Sequence, residues 1–303
     1  MDPVTQLKID ALLHLVVYPA LALAAVAAGG IALRRKAEHP ERPGVLALAL
    51  AGAAVVSFVG SVAVPAVPPV DTRDFTPLFT LLLPLPFLAL ERRPRLGLIA
   101  PLAALSVAAM LYLYLRPILG GEYAPADRVA EAGALGLAVW LASDRLATVV
   151  PAPVSLATMG LGAAGAGVVS MLSGTATIGQ GLGGVALVAA LGAVLTWRVP
   201  RLTVGRAAVA AVLVPFLGLL AYAHFYSDVP PLPALVVCLA PLTAAVALPF
   251  KRVLPAALVA AALAALPAVG GAYLAKSASD EKLAKEAAES GGTAEPDYSI
   301  LMK

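Results

Sequence analysis

The sequence predicts an all-α integral membrane protein: a polytopic bundle of about ten transmembrane helices, with the N-terminus and the C-terminus both outside. Three observations lead there. The 303 residues are 60% hydrophobic and only 13% charged, whereas a soluble domain carries about 45–50% apolar and about 25% charged residues. The mean hydropathy is +0.90. The scarce Lys and Arg residues fall in alternate connections between apolar runs. This composition excludes a soluble globular enzyme, a disordered chain and a nucleic-acid-binding module. The expected surroundings are a cell (inner) membrane, with the lipid bilayer as first partner and other membrane subunits as further ones.

A helix needs roughly 20 apolar residues to cross a hydrocarbon core about 30 Å thick, because lipid offers nothing to backbone N–H and C=O groups. Ten runs fit: 11–33, 45–64, 75–90, 96–115, 130–150, 154–172, 180–197, 204–224, 232–249 and 254–275. Charged or Pro/Gly-rich breaks separate them, such as Arg34-Arg35-Lys36 and Arg198 to Arg201.

Basic residues set orientation. Of the 21 Lys and Arg residues, 13 lie in the alternate turns beginning at 34, 91, 144, 198 and 250. Those turns are therefore expected in the cytoplasm. The net charge of +3 reads as a topology signal. The run 130–150 is the weakest, with Asp144-Arg145 inside its last turns. If it did not cross, Arg198, Arg201 and Arg206 would switch to the outside, against the rule. One pair of runs remains open as a re-entrant element.

The first run reads as an uncleaved anchor, since Asp2, Lys8 and Asp10 precede it and no small-residue cleavage site comes before Arg34. Residues 1–275 form the membrane domain. Residues 276–303 read as a polar extracytoplasmic tail: a short helix capped by Ser279 and ended at Gly291-Gly292, then disorder. An offset of 157 residues pairs Asp71 with Asp228, Leu78 with Leu235, Pro84 with Pro241, Leu85 with Leu242 and Arg95 with Arg252. Such a duplicated hairpin would be a parallel repeat.

Recognisable catalytic motifs are missing. There is no GxxxxGK[ST], HExxH or GxSxG. The single cysteine, Cys238, excludes an intramolecular disulfide and a Cys-based zinc cluster. The three histidines, His14, His39 and His224, lie on separate elements. No cofactor or metal is expected, and no enzyme activity.

Charged residues inside spans are the default pointer to function, since each costs roughly 3 kcal/mol in lipid unless it faces protein or water. The fifth run holds Asp127, Arg128 and Glu131 at one end and Asp144 with Arg145 at the other. Thirteen residues, or about 20 Å of helix, separate Glu131 from Asp144. They read either as the ends of an ion or proton path or as two headgroup-level clusters. A second set, Asp71, Asp74, His224 and Asp228, forms a candidate outer rim with Arg73 and Tyr226. Tyr112, Tyr114, Tyr222, Phe225 and Tyr226 read as an interfacial aromatic belt. Gly160, Gly162, Gly165 and Gly167 face Gly181, Gly183 and Gly184 in the next run. Small residues at such spacing mark a close helix pair. The intervening Ser170, Ser173, Thr175, Thr177 and Gln180 offer a site for a small polar solute.

The segment Leu12-Leu13-His14-Leu15-Val16-Val17-Tyr18-Pro19-Ala20-Leu21 resembles the opening helix of the H-type membrane subunit of respiratory complex I and of membrane-bound hydrogenases. Arg34-Arg35-Lys36 and Arg42-Pro43-Gly44 resemble that family's following turn. The match covers about a tenth of the chain, and the long acidic loops of the quinone chamber are missing. It implies a non-catalytic membrane subunit of an energy-converting complex. In dimensions the chain resembles ten-span drug/metabolite transporters, which have cytoplasmic termini instead. Asp71 and Asp74 in an early external loop resemble lipid-linked-sugar glycosyltransferases, whose large external domain is absent.

Overall fold

The computed structural model describes residues 44–61, 65, 69, 72–92, 96–199, 202–227, 229–250 and 252–289, and the regular structure among them is helical throughout. In chain order the helices are α1 (Gly44–Ser61), α2 (Phe75–Leu82), α3 (Pro84–Arg92), α4 (Ile99–Leu115), α5 (Ala126–Ala147), α6 (Ala152–Leu172), α7 (Ala176–Arg198), α8 (Arg206–Tyr226), α9 (Pro231–Cys238) and α10 (Val253–Glu289). Short 3₁₀ turns precede α2 and α4, and a longer one, Ala240–Ala247, continues α9. Among the described residues, each apolar run expected from residue 45 onward falls mainly on helix. The run 11–33, with the resembling segment Leu12–Leu21, lies outside the described residues.

Among the described residues, five stretches are long and apolar enough to cross a membrane: Thr72–Glu91, Ala152–Leu172, Ala176–Arg198, Arg206–Tyr226 and Val253–Glu286. Three shorter apolar helices accompany them. Helix α5 has the length, 22 residues or about 33 Å. Its charges keep it off that set.

Helix α8 is the hub. It touches α1 through α7 and α9, and 83% of its apolar window is buried inside the bundle. Pro215 lies in its interior, where it removes one backbone hydrogen bond and permits a kink. At the opposite extreme, only 17% of the α10 window is buried. Leu258, Leu266, Val269 and Tyr273 point outward from it.

Proline also interrupts two other stretches. Helix α2 stops at Leu82 and α3 starts at Pro84. Helix α9 stops at Cys238, and the 3₁₀ turn carries Pro241. These two breaks coincide under the 157-residue offset, which sets Leu82-Leu83-Pro84 on Leu239-Ala240-Pro241. The offset also lays α1 on α8 and α4 on α10.

The glycines of α6 serve two interfaces, where the sequence suggested one. A Cβ on Gly160 would sit 3.1 Å from the Ala186 carbonyl oxygen, and one on Gly167 would sit 3.0 Å from that of Gly179, both on α7. Gly162 and Gly165 turn the other way. A Cβ there would meet Pro241 at 3.2 Å and Ala268 at 2.7 Å. Four glycines therefore seat α6 between α7 on one side and the α9–α10 hairpin on the other. The string Gly160-Leu161-Gly162-Ala163-Ala164-Gly165 has the spacing of a dinucleotide-binding turn, but it lies inside α6 rather than after a strand.

Two further expectations change. The tail helix does not start afresh at Ser279: α10 runs unbroken from Val253 to Glu289. After Gly271 the chain is rich in Ala, Lys and Glu, which continue a helix well. The aromatic belt is mostly interior packing. Tyr114 and Phe225 are buried, while Tyr112 is exposed. Tyr114 meets Phe79 and Tyr222 edge-on, and Tyr222 stacks on Tyr226 at 4.5 Å. The Thr76 and Tyr114 hydroxyls lie 2.6 Å apart, which satisfies the polar tip that burial would otherwise leave bare.

Candidate functional site

Helices α5 and α8 run in opposite directions and hold polar residues at both shared ends. At the Arg206 end, the first turn of α8 presents backbone N–H groups with no intrahelical partner. Gly205, the preceding residue, has no side chain to cap them. Glu91, at the end of α3, does so from across the bundle: its Oε1 accepts a hydrogen bond of 2.9 Å from the Ala207 N–H. A carboxylate is also the favoured partner for the positive end of the helix dipole. Beside it, Arg206 Nε donates to Asp144 Oδ2 at 3.4 Å, with the two side chains only 14% and 9% exposed. Glu91, Asp144 and Arg206 interact electrostatically with one another, and exposed Arg145 acts on Asp144.

Three helices thus converge on one partly buried clamp of two carboxylates and one guanidinium, with Asp144 its buried member. It is incompletely satisfied. Asp144 Oδ1, Glu91 Oε2, Ser143 Oγ and Trp140 Nε1 are buried without a hydrogen-bond partner. One helical turn inward from the carboxylates, Phe87 and Trp140 pack at 5.4 Å between centroids, both fully buried. The pair lies on the interior side of the two carboxylates.

At the His224 end, α4, α5, α8 and α9 leave a cavity of about 690 Å³. Its body is apolar, with Val107, Met110, Leu135, Gly136, Leu217 and Leu235 among its walls and Cys238 on α9. Its polar rim is Arg128, Glu131 and His224. The His224 ring Nδ1 lies 2.6 Å from the Val229 carbonyl oxygen. A carbonyl only accepts, so Nδ1 donates this hydrogen bond. Buried Val139, Trp140, Leu213 and Phe216 occupy α5 and α8 between cavity and clamp. On α8, Pro215 lies in the same interval.

The sequence-derived candidates divide between these places. Asp144 is in the clamp. Arg145 is exposed beside it, and Glu131 is on the cavity rim with His224. Asp127 is exposed and does not line the cavity. Asp74 is buried at the start of α2 and does not line the cavity, and Asp71 and Asp228 lie outside the described residues. Sequence reasoning missed Glu91 and Arg206. Both sit where an apolar run meets a basic turn, where Arg206 reads as a topology charge and Glu91 as the start of a break between runs. The available signal was Arg206 at the threshold of a run whose preceding glycine cannot cap it. Among the described residues, no three His, Cys, Asp or Glu side chains converge as a metal cage. No protein-family profile, no curated protein and no solved structure matches this chain, so its function is read from the chemistry of the clamp and the cavity.

Proposed function

We propose that this chain is a small secondary carrier for an apolar or amphipathic solute. The carrying observation is the opposition of the two shared ends of α5 and α8: a cavity with a polar rim at one, a desolvated clamp at the other, and a packed layer between. That arrangement suits alternating access, with one side open and the other shut. The cavity is within the roughly 300–1,000 Å³ of small-molecule pockets, and its apolar walls with a few polar groups fit their usual chemistry. The matched proline breaks add support, because helices interrupted at corresponding positions of two repeats point to the binding region of a carrier. The Lys and Arg distribution supports a ten-span topology that puts the clamp on the cytoplasmic side and both termini outside.

Cavity access tests the reading. In a Cys238→Ser background, Leu217→Cys is probed with a membrane-impermeant maleimide in right-side-out and inside-out vesicles. A carrier is labelled from both faces. Labelling from one face only refutes carriage and leaves a static groove.

A second reading, a membrane subunit of an energy-converting complex, draws on the largely unburied apolar surface of α10. Purification in mild detergent tests it: co-isolating partners support it, and a protein that always emerges alone removes it.

A further inference from the structure

We propose that the Glu91–Asp144–Arg206 cluster is a proton-coupling site that latches the Arg206 end of α8 while both carboxylates are ionised. The inference rests on the carrier reading and adds the driving ion to it.

Charge and partners support it. The clamp is two carboxylates and one guanidinium, Asp144 buried and Glu91 and Arg206 partly buried, so fully ionised it holds one negative charge in excess, with exposed Arg145 acting on Asp144. Asp144 is 6% exposed, and its Oδ1 has no partner. Glu91 Oε2 is equally bare. A proton arriving at Asp144 Oδ1 gives a neutral acid, which removes the excess charge and dissolves the ion pair that holds Arg206. A proton on Glu91 weakens its hold on the Ala207 N–H, because the cap loses its charge. A metal ion is a poor occupant. Hard cations take six or more oxygen ligands, and Arg206 already sits in the positive position.

The fold supplies a route from latch to cavity. Arg206 and Ala207 begin α8, while Leu217 to Phe225 line the cavity on the same helix. Between them stands Pro215, where a helix bends at least cost. Beneath the latch, Phe87 and Trp140 ride on the helices that carry Glu91 and Asp144, each one turn from its carboxylate. Release of the first turn of α8 therefore frees the aromatic layer and lets the N-terminal half of α8 swing while the cavity wall stays seated.

Distances between spin labels test this in lipid nanodiscs. With Cys238→Ser, one pair, Val149→Cys and Thr203→Cys, spans the latch end at exposed positions. A second pair, Ala126→Cys and Leu232→Cys, spans the cavity rim. The expected result is one short latch distance at pH 8 and a second, longer population on acidification to pH 4.5. In Glu91→Gln/Asp144→Asn the longer population is present at both pH values. A latch distance that ignores pH in the otherwise unmutated protein overturns the proposal, and this readout needs no destabilised variant. So does an acid response that survives unchanged in Glu91→Gln/Asp144→Asn. If the rim pair populates two distances while the latch pair never does, the latch fails and the carrier reading stands. If both pairs stay single throughout, both fail.

Discussion

Neutralising Arg206 is expected to damage the protein more than neutralising its partner. At 3.4 Å, and with an effective dielectric constant of about 20, the gross attraction between Arg206 and Asp144 is about 5 kcal/mol. Desolvation cancels much of it, so the net worth of the pair is small. Breaking it from one side costs about 3–5 kcal/mol, because a buried charge is left alone. The two single changes are not equivalent. Asp144→Asn leaves Arg206 with the attraction of Glu91 and is expected at the low end, about 3 kcal/mol. Arg206→Gln leaves two carboxylates without the cation they share, only exposed Arg145 still acting on Asp144, and is expected to cost about 4–5 kcal/mol. Asp144→Asn/Arg206→Gln removes both charges and should return to within about 2 kcal/mol of the parent. The assay is SDS-driven unfolding in mixed micelles, followed by tryptophan fluorescence, since Trp140 lies directly under the clamp. Equal and additive losses for the two single variants would refute the reasoning, because they would mean that the pair is hydrated and uncoupled.

Three further outcomes are expected in the same assay. Gly165→Ala places a methyl against Ala268 and should cost about 1–3 kcal/mol, whereas Gly183→Ala meets nothing within 4 Å and should be neutral or up to about 1 kcal/mol stabilising. Thr76→Val strands the buried Tyr114 hydroxyl and should cost about 1–3 kcal/mol, more than Thr76→Val/Tyr114→Phe, which removes both polar groups. Trp140→Ala empties a fully enclosed site beside Phe87 and should cost about 3–5 kcal/mol, with Trp197 remaining as the fluorescence reporter.

The helical class and the positions of the apolar runs were legible because lipid imposes them: a segment of one composition has one way to satisfy its backbone. The close approach at Gly160 and Gly167 was legible too, since only small residues permit it. The double role of the glycines was not, because residue type says how near a neighbour comes and not which neighbour it is. Asp144 stood out as an acid inside a run. Its partners did not, because Arg206 and Glu91 come from the chain 62 and 53 residues away and meet it only once α3, α5 and α8 are packed. The cavity was likewise invisible, being a gap between four helices that each look ordinary. Tyr114 and Phe225 misled for a related reason: an aromatic near a span end fits a headgroup belt or a core, and only packing decides between them.

The burial of α8 carries a consequence for how the protein is made. A chain is synthesised from its N-terminus, so α1 through α7 are complete before α8 exists. Yet α8 touches every one of them. Until α8 has been made, the inner faces of those helices have no native centre to close upon, and Glu91 and Asp144 wait for Arg206. Maturation is therefore bound to a single late insertion. Chains arrested before Arg206 are expected to keep the close α6–α7 pair but to lack a packed centre, and chains released just after Tyr226 to gain most of their protease resistance in one step.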